Sequence, residues 1–295
     1  MNQEKMGREQ RRPNSNRKSR KQKNSDYRTI WVSDVHLGTA GSQAAFLTAF
    51  LKAHECQRLY LVGDIIDGWR LKSSFYWPQE HSNVIRQILT KAKRGTKVIY
   101  VSGNHDEFLR RFLDQPLNLG NIEIVNEAVH KTADGKRLLV LHGDLFDGIT
   151  RYHRWLALTG DVAYTFTLWA NRRFNIYRMR FGMPYWSLSA YAKSKVKKAV
   201  SFIYEFEKAV ARETKRRGMD GVVCGHIHQS EIRDIDGIRY YNCGDWVESC
   251  TALVERHDGR IEIVRWAHDG SEAVEPTSTR VVDFPKFAPE RPAAA

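Results

Sequence analysis

The sequence predicts an α/β fold in which two β-sheets form a sandwich flanked by helices, with an inserted helical cap. In the first half of the 295 residues, strand-like apolar runs alternate with amphipathic helical patterns. In the second half, the strand-like runs come in pairs joined by short turns. Finally, 83 residues separate His142 from His226, many more than neighbouring strands need for a connection, and this interval predicts the cap.

The first half reads as strand, helix, strand, helix, strand. Thr29–Ser33, Arg58–Val62 and Lys97–Val101 are short runs of apolar and β-branched residues, which is typical of buried strands. Gln43–Ala53 places its large apolar side chains on one helical face. The next helix is predicted over Pro78–Lys93, because proline suits the first turn of a helix.

A short helix is predicted near Phe108–Leu113, and most of the strands after it are predicted to come as hairpins. Three pairs of strand-like runs are joined through an Asp-Gly dipeptide, at Asp134, Asp236 and Asp258, which is a strong signal for a hairpin. The predicted strands are Ile122–Val125, Ala128–Thr132, Arg137–Leu141, Gly221–Cys224, Ser230–Asp234, Ile238–Tyr241, Thr251–Glu255 and Ile261–Trp266.

The predicted cap spans about residues 150–217. Its second part, Lys193–Arg217, repeats apolar residues at helical spacing and predicts an amphipathic helix. Its first part mixes aromatic residues with arginines. Any single aromatic is expected to pack the cap against the core, but the mixture as a whole suits an amphiphilic anionic ligand or a membrane surface. Seven basic residues are candidate substrate contacts, with a solvated face as the alternative: Arg172, Arg173, Arg178, Arg180, Lys195, Lys197 and Lys198.

Charge and composition divide the chain into a tail, a domain and a second tail. Residues 1–28 hold ten Lys/Arg against three Asp/Glu, and residues 151–217 hold fifteen against four. The two segments thus carry +7 and +11 of a net charge of +13, and the rest of the chain sums to −5. We predict a disordered basic tail over 1–27, one domain over 28–270 and a disordered tail over 271–295. The basic tail either aids solubility or contacts acidic lipid or nucleic acid.

The sequence also bears on the compartment. It has no run of 18 apolar residues, and its polar, basic start lacks the apolar region of a signal peptide. Its four cysteines form no Cys-x-x-Cys pair, which is typical of buried thiols in a reducing compartment. We therefore expect a cytoplasmic protein that can attach peripherally to the inner face of a membrane, and we infer no protein partner.

Five loops that follow predicted strands carry ionisable or metal-binding side chains. Ligands and metals gather at the carboxyl ends of strands in such sheets, so the five loops predict one site. The loops are Ser33-Asp34-Val35-His36, Gly63-Asp64-Ile65-Ile66-Asp67, Gly103-Asn104-His105-Asp106, Leu141-His142-Gly143-Asp144 and Gly225-His226-Ile227-His228.

The donor atoms of these loops suit divalent transition metals. Carboxylate and amide oxygens beside imidazoles suit Mn²⁺, Fe or Zn²⁺ better than Ca²⁺, and the loops contain no thiolate for a structural zinc site. Apart from His105 and Asp67, seven candidate ligands remain, which fits two ions that share one carboxylate. Such a pair lowers the pKa of a water between the ions and binds the oxygens of a phosphoryl group.

The ordered motifs Asp-x-His, Gly-Asp-x-x-Asp, Gly-Asn-His-Asp, His-Gly-Asp and Gly-His-x-His resemble those of the calcineurin-like metallophosphoesterases, over about residues 29–267 without the cap. The resemblance implies a metallophosphoesterase sandwich. It also implies one metal held by Asp34, His36, Asp64 and His228, and a second held by Asp64, Asn104, His142 and His226. His105 would then act on the leaving oxygen or the charge of the transition state, with Asp67 orienting its ring.

Within this superfamily, the cap and the Asp-Gly-Trp that follows Gly-Asp-Ile-Ile resemble the UDP-2,3-diacylglucosamine pyrophosphatases of lipid A synthesis. That resemblance implies a UDP-linked diacyl sugar as substrate, cleaved at its diphosphate, usually with Mn²⁺. The best-known branch has Arg where this chain has His105, and His restores the general superfamily pattern. Gly68, in place of an arginine, argues against a Ser/Thr protein phosphatase.

Together these patterns predict a two-metal phosphohydrolase acting on a phosphorylated amphiphilic or nucleotide substrate. The alternative within the enzyme class is a phosphodiesterase or nuclease on nucleotide or nucleic-acid substrates, which the basic tail permits. A membrane- or nucleic-acid-binding module with a degenerate site is the alternative from another class. Against that module, every expected ligand position is filled here.

Overall fold

A computed structural model describes residues 26–112, 121–149, 188–266 and 272–275. In chain order the strands are β1 (Tyr27–Val32), β2 (Cys56–Val62), β3 (Lys97–Val101), β4 (Ile122–Val125), β5 (Glu127–Lys131), β6 (Arg137–Leu141), β7 (Gly221–Cys224), β8 (Glu231–Ile235), β9 (Ile238–Asn242), β10 (Thr251–Glu255), β11 (Ile261–Trp266) and β12 (Glu272–Glu275). The α-helices are α1 (Ala44–Ala53), α2 (Gly68–Ser73), α3 (Gln79–Lys93) and α4 (Leu188–Arg216), and two 3-10 turns cover Glu107–Phe112 and Asp144–Ile149.

The strands form two sheets. The first has the order β12-β11-β10-β1-β2-β3-β4, in which β1 to β4 are parallel and β10 to β12 are antiparallel. The second has the order β5-β6-β7-β9-β8, with β6, β7 and β9 parallel. Because parallel strands end at the same edge of a sheet, the loops after β1, β2 and β3 lie together, as do those after β6 and β7.

Apolar side chains fill three layers of this sandwich. Between the sheets, Trp31 of the first sheet and Val223 of the second belong to one buried cluster. On the outer face of the first sheet, Phe50 of α1 and Val84 of α3 pack against the strands. On the outer face of the second sheet, Phe206 of α4 does the same. The structure thus confirms the predicted two-sheet α/β sandwich flanked by helices.

The long helix α4 corresponds to the predicted helix Lys193–Arg217. Its residues Phe206, Val210 and Ala211 are buried against β6, β7 and β9. This part of the predicted cap is therefore an outer layer of the sandwich, because its apolar stripe covers the second sheet. Residues 150–187 of the predicted cap lie outside the described residues. No helix in the described ranges is both long and apolar enough to cross a bilayer.

Two predicted boundaries are wrong by a few residues. Tyr27, assigned to the disordered tail, begins β1 and is buried. Glu272–Glu275, assigned to the C-terminal tail 271–295, pairs with β11 as an edge strand. Residues 1–25 and 276–295 of the two predicted tails lie outside the described residues. The six-residue helix α2 was not predicted, since it is too short to show a helical period.

Candidate metal centre

The five predicted loops meet at one end of the sandwich. Three follow the parallel strands β1, β2 and β3, and two follow the parallel strands β6 and β7 of the other sheet. Backbone hydrogen bonds join neighbouring loops: the amides of Val35 and His36 donate to the carbonyl of Asp64, and the amide of Gly225 donates to the carbonyl of His142. The loops therefore form one continuous surface between the edges of the two sheets.

The backbone is strained where the predicted ligands lie. Seven non-glycine residues of the described chain have a positive φ, and five of them are predicted metal ligands. Side chains rarely adopt this left-handed conformation, and residues held in it concentrate at functional sites. The strain therefore supports a functional site at Asp34 (φ 50°), His36 (51°), Asp64 (54°), His226 (72°) and His228 (56°).

One group of possible ligands consists of Asp34, His36 and His228. Nε2 of His228 lies 3.2 Å from Oδ1 of Asp34. Nε2 of His36 lies 4.0 Å from the same oxygen and 3.4 Å from Nε2 of His228. One donor atom from each residue falls within 4.8 Å of the others, which is close enough for a single ion to bind all three.

A second group consists of Asp64, His142 and His226, all buried. Oδ2 of Asp64 lies 3.3 Å from Nε2 of His142, which in turn lies 3.3 Å from Nδ1 of His226. The same oxygen of Asp64 lies 3.9 Å from Nε2 of His36 in the first group. Asp64 thus lies between the two groups, at the position of the shared carboxylate in the predicted two-metal site.

Asn104 belongs to the loop that covers Asp64 and His142. A Cβ placed on the preceding Gly103 would lie 2.9 Å from the His142 ring and even closer to the Asp64 carboxylate. Both amide atoms of the Asn104 side chain are buried and make no hydrogen bond with any described residue. A buried amide without a hydrogen bond is costly, so a bound ion is a natural partner for its oxygen.

Main-chain groups orient the predicted ligands. Asp34 accepts the His226 amide on Oδ2 at 2.9 Å, and Asp64 accepts the His105 amide on Oδ1 at 2.8 Å. Each carboxylate is therefore fixed through one oxygen while its other oxygen faces the imidazoles. His142 is fixed in the same way, since its Nδ1 lies 2.9 Å from the carbonyl oxygen of Val62 and its Nε2 faces Asp64.

Asp67 orients two imidazoles at once. Its Oδ2 lies 3.2 Å from Nδ1 of His36 and 3.0 Å from Nδ1 of His105. Its Oδ1 accepts the amide of Arg70 at 2.8 Å and so caps the start of α2. Nε2 of His105 lies 3.9 Å from Oδ2 of Asp64, which directs that nitrogen into the site. This geometry fits the predicted orienting role of Asp67.

The charges of the site favour cations. Burial by itself would raise the pKa of Asp34 and Asp64, but the neighbouring imidazoles outweigh it, His228 for Asp34 and His142 for Asp64, and both pKa values fall below the usual range. Burial likewise opposes protonation of His142, yet Asp64 raises its pKa to about 10. The two buried carboxylates thus remain anionic and attract positive charge from protons or metal ions.

Sequence analysis missed residues that support the loops. Asp106 accepts the Ile65 amide at 2.9 Å and the Tyr100 hydroxyl at 2.6 Å on one oxygen, and the Gly103 amide at 2.5 Å on the other. It therefore ties the Gly-Asn-His-Asp loop to the loop of Asp64, and its place in that motif was the available signal. Asn242 donates to the carbonyl of Gly225 at 2.9 Å and holds the Gly-His-x-His loop, without any signal in the sequence.

The remaining predicted contacts are basic residues of the cap. Lys195, Lys197 and Lys198 lie in α4, and only the backbone of that part of the helix is described. The predicted contacts Arg172, Arg173, Arg178 and Arg180 lie outside the described residues. All seven stay predictions.

Gly63→Ala is expected to disturb both the site and the fold. Gly63 has φ +75°, and a Cβ there would overlap the His142 ring. Gly135 has φ +90° with nothing within 4 Å of the added Cβ, so Gly135→Ala carries the backbone strain alone. We expect Gly135→Ala to lose about 1 kcal/mol of stability. Gly63→Ala should lose about 1 to 3 kcal/mol more, because the buried His142 ring must shift, and it alone should lose metal affinity, about tenfold or more. Chemical unfolding and metal titration measure the two effects, and equal metal affinities would contradict the assignment of His142.

Several known proteins are similar to this chain. The calcineurin-like phosphoesterase family model matches residues 27–230. The UDP-2,3-diacylglucosamine hydrolase of Blochmanniella pennsylvanica (strain BPEN) is 27% identical over 122 residues, which cover 39% of this chain and less than half, 46%, of that protein. The protein of the same name from Neisseria meningitidis serogroup B (strain ATCC BAA-335 / MC58) is 22% identical over 249 residues, covering 78% of this chain and 93% of the relative.

Among solved structures, Yfce, a phosphoesterase from E. coli, is 15% identical, with a TM-score of 0.41, and the match covers 84% of this chain and 97% of Yfce. The family model spans more than half of the chain and includes all five loops of the site. The protein therefore belongs to the calcineurin-like phosphoesterase family and is a metal-dependent phosphoesterase.

Proposed function

We propose that this protein is a two-metal phosphohydrolase that cleaves the phosphoanhydride of a UDP-linked diacyl sugar. The observation that carries the two-metal assignment is the position of Asp64, whose Oδ2 faces His142 on one side and His36 on the other. The substrate rests on the resemblance of the motifs and on the printed names of the relatives, UDP-2,3-diacylglucosamine hydrolase.

The residues present fit two divalent ions. Asp34, His36, Asp64 and His228 would hold one, and Asp64, Asn104, His142 and His226 the other. Imidazole nitrogens with carboxylate and amide oxygens suit Mn²⁺, and Fe or Zn²⁺ are the alternatives. When bound, such ions acidify water and withdraw negative charge from phosphoryl oxygens.

The chain's own groups supply orientation and a proton. Asp67 lies beside Nδ1 of His105, which favours the proton on that nitrogen and directs Nε2 toward the site. When protonated at Nε2, His105 donates a hydrogen bond or a proton to the leaving phosphate oxygen. The ring of Trp69 lies against that of His105, with centroids 4.3 Å apart, and limits its rotation.

The acyl chains of the substrate should matter to the rate. We expect kcat/KM for UDP-2,3-diacylglucosamine to exceed that for the deacylated UDP sugar at least tenfold, because the aromatic and basic segment 151–217 would bind the lipid part. Chromatographic detection of UMP and the lipid phosphate measures both rates. Equal rates would count against lipid recognition, and faster cleavage of nucleic acid or cyclic nucleotides would favour the phosphodiesterase alternative.

A further inference from the structure

One stretch of the described surface combines exposed aromatic and basic side chains. It consists of α2 and the turn after it, Gly68–Pro78, which we call the aromatic rim. Trp69, Phe75 and Tyr76 are 44%, 80% and 45% exposed, and they are three of the six large apolar side chains exposed among the described residues. Single exposed apolar side chains are common, but three within eight residues form a patch of the kind that marks an interaction surface.

The charged side chains of the aromatic rim are all positive. Arg70 and Lys72 lie in the last turn of α2 and are exposed. No acidic residue occurs between Asp67 and Glu80 in the sequence. The rim thus offers apolar rings beside cations, which fits a surface that is apolar in its interior and anionic at its boundary.

The aromatic rim is anchored to the core from below. Leu71 packs against Gly38 so closely that a Cβ there would lie 2.8 Å from Leu71 Cγ. Trp77 packs on the buried core and donates its indole N–H to the Ser82 hydroxyl at 3.1 Å. Leu71 and Trp77 thus hold the aromatic rim on either side of Phe75 and Tyr76, and these two side chains are exposed to solvent.

The aromatic rim also borders the candidate metal centre. The amide of Gly68 donates to the carbonyl of His105 at 2.9 Å, and the Trp69 ring rests on the His105 ring. The Trp69 indole N–H donates to Glu107 at 3.1 Å, just after the Gly-Asn-His-Asp loop. Whatever binds the rim is therefore held next to the site.

We propose that the aromatic rim docks this protein on an anionic lipid bilayer. Tryptophan and tyrosine favour the boundary between head groups and acyl chains, and Arg70 and Lys72 complement acidic head groups. Docking in this orientation places the metal centre at the bilayer surface. The inference extends the proposed function, but it concerns vesicle binding and stands apart from the identity of the substrate.

Vesicle binding by the full chain tests this surface. We expect binding to vesicles of phosphatidylcholine mixed with phosphatidylglycerol, and weaker binding to phosphatidylcholine alone. The double variants Phe75→Ser/Tyr76→Ser and Arg70→Gln/Lys72→Gln should each bind the mixed vesicles at least tenfold more weakly. Val129→Ser, at a site 51% exposed on β5, should bind like the unmodified protein. Unchanged hydrolysis of a soluble aryl phosphodiester shows that each variant is folded and that its metal centre is intact.

A fluorescent label locates the contact. The four native cysteines are buried, so an introduced Ser74→Cys in the rim takes the label selectively. Ala133→Cys is the matched control, because Ala133 contacts Glu255, the partner of Arg28 at the opposite end of β1. Mixed vesicles should shift the emission of the label to the blue only at position 74. The proposal is overturned if the vesicles do not bind, if the rim variants bind normally, or if both labels respond alike.

Discussion

Asp64→Ala is expected to remove both metal ions and to lower hydrolysis of an aryl phosphodiester by about 10³-fold or more. Asp64 is fully buried, and its Oδ2 faces His142 and His36, one from each ligand group. Loss of this carboxylate therefore weakens both groups, whereas loss of a ligand that belongs to one group weakens one. Metal analysis of the purified variant together with its initial rates measures the effect.

Asp64→Asn removes the negative charge of the side chain but keeps its size. The asparagine is the same size and retains an oxygen to accept the His105 amide, so the loops should stay folded. We expect low metal content in this variant too, because a neutral amide is a weaker ligand than a carboxylate. Two retained ions in Asp64→Ala would show that Asp64 does not join the two groups.

His105→Ala is expected to keep both ions. When the leaving group is a phosphate, as in a phosphoanhydride, its turnover should fall by about 10²- to 10⁴-fold. His105 is not one of the seven predicted ligands. It groups with His36 and Asp67, and the Trp69 ring lies against its ring. If His105 donates a proton to the leaving oxygen, a leaving group that is stable as an anion depends less on that proton. The loss should therefore be much smaller for a nitrophenyl ester than for a phosphoanhydride.

Asp67→Asn is the companion variant, because the Asp67 carboxylate lies beside Nδ1 of both His105 and His36. A positioning role predicts a smaller loss of turnover with the same dependence on the leaving group. Equal losses for both leaving groups in His105→Ala would contradict proton donation, and loss of metal in that variant would make His105 a ligand.

Much of this site was predictable from sequence because the strands are short apolar runs with sharp ends. β1, β2, β3, β6 and β7 each lead directly into a polar motif, and parallel strands deliver such motifs to one edge. The hairpin at Asp134 was equally predictable from its Asp-Gly turn, and β5 and β6 pair there. These features depend on local pattern alone.

The supporting contacts could not be predicted from the sequence, because they join residues far apart in the chain. Nothing local indicates that Asp34 accepts the His226 amide, 192 positions away, or that Asn242 holds the Gly225 carbonyl. The left-handed backbone at five predicted ligands could not be predicted either, since tertiary contacts impose it on residues that do not prefer it. α4 was assigned to the cap because its apolar stripe shows that a face is buried but does not identify its partner.

Electron paramagnetic resonance of the Mn²⁺-loaded protein tests the central claim most directly. A carboxylate shared by two ions places their spins close enough to couple. We expect two Mn²⁺ per chain and a spin-coupled spectrum that disappears in Asp64→Ala. A spectrum of isolated Mn²⁺ at every loading, or binding that stops at one ion per chain, would contradict a pair of metals organised around Asp64.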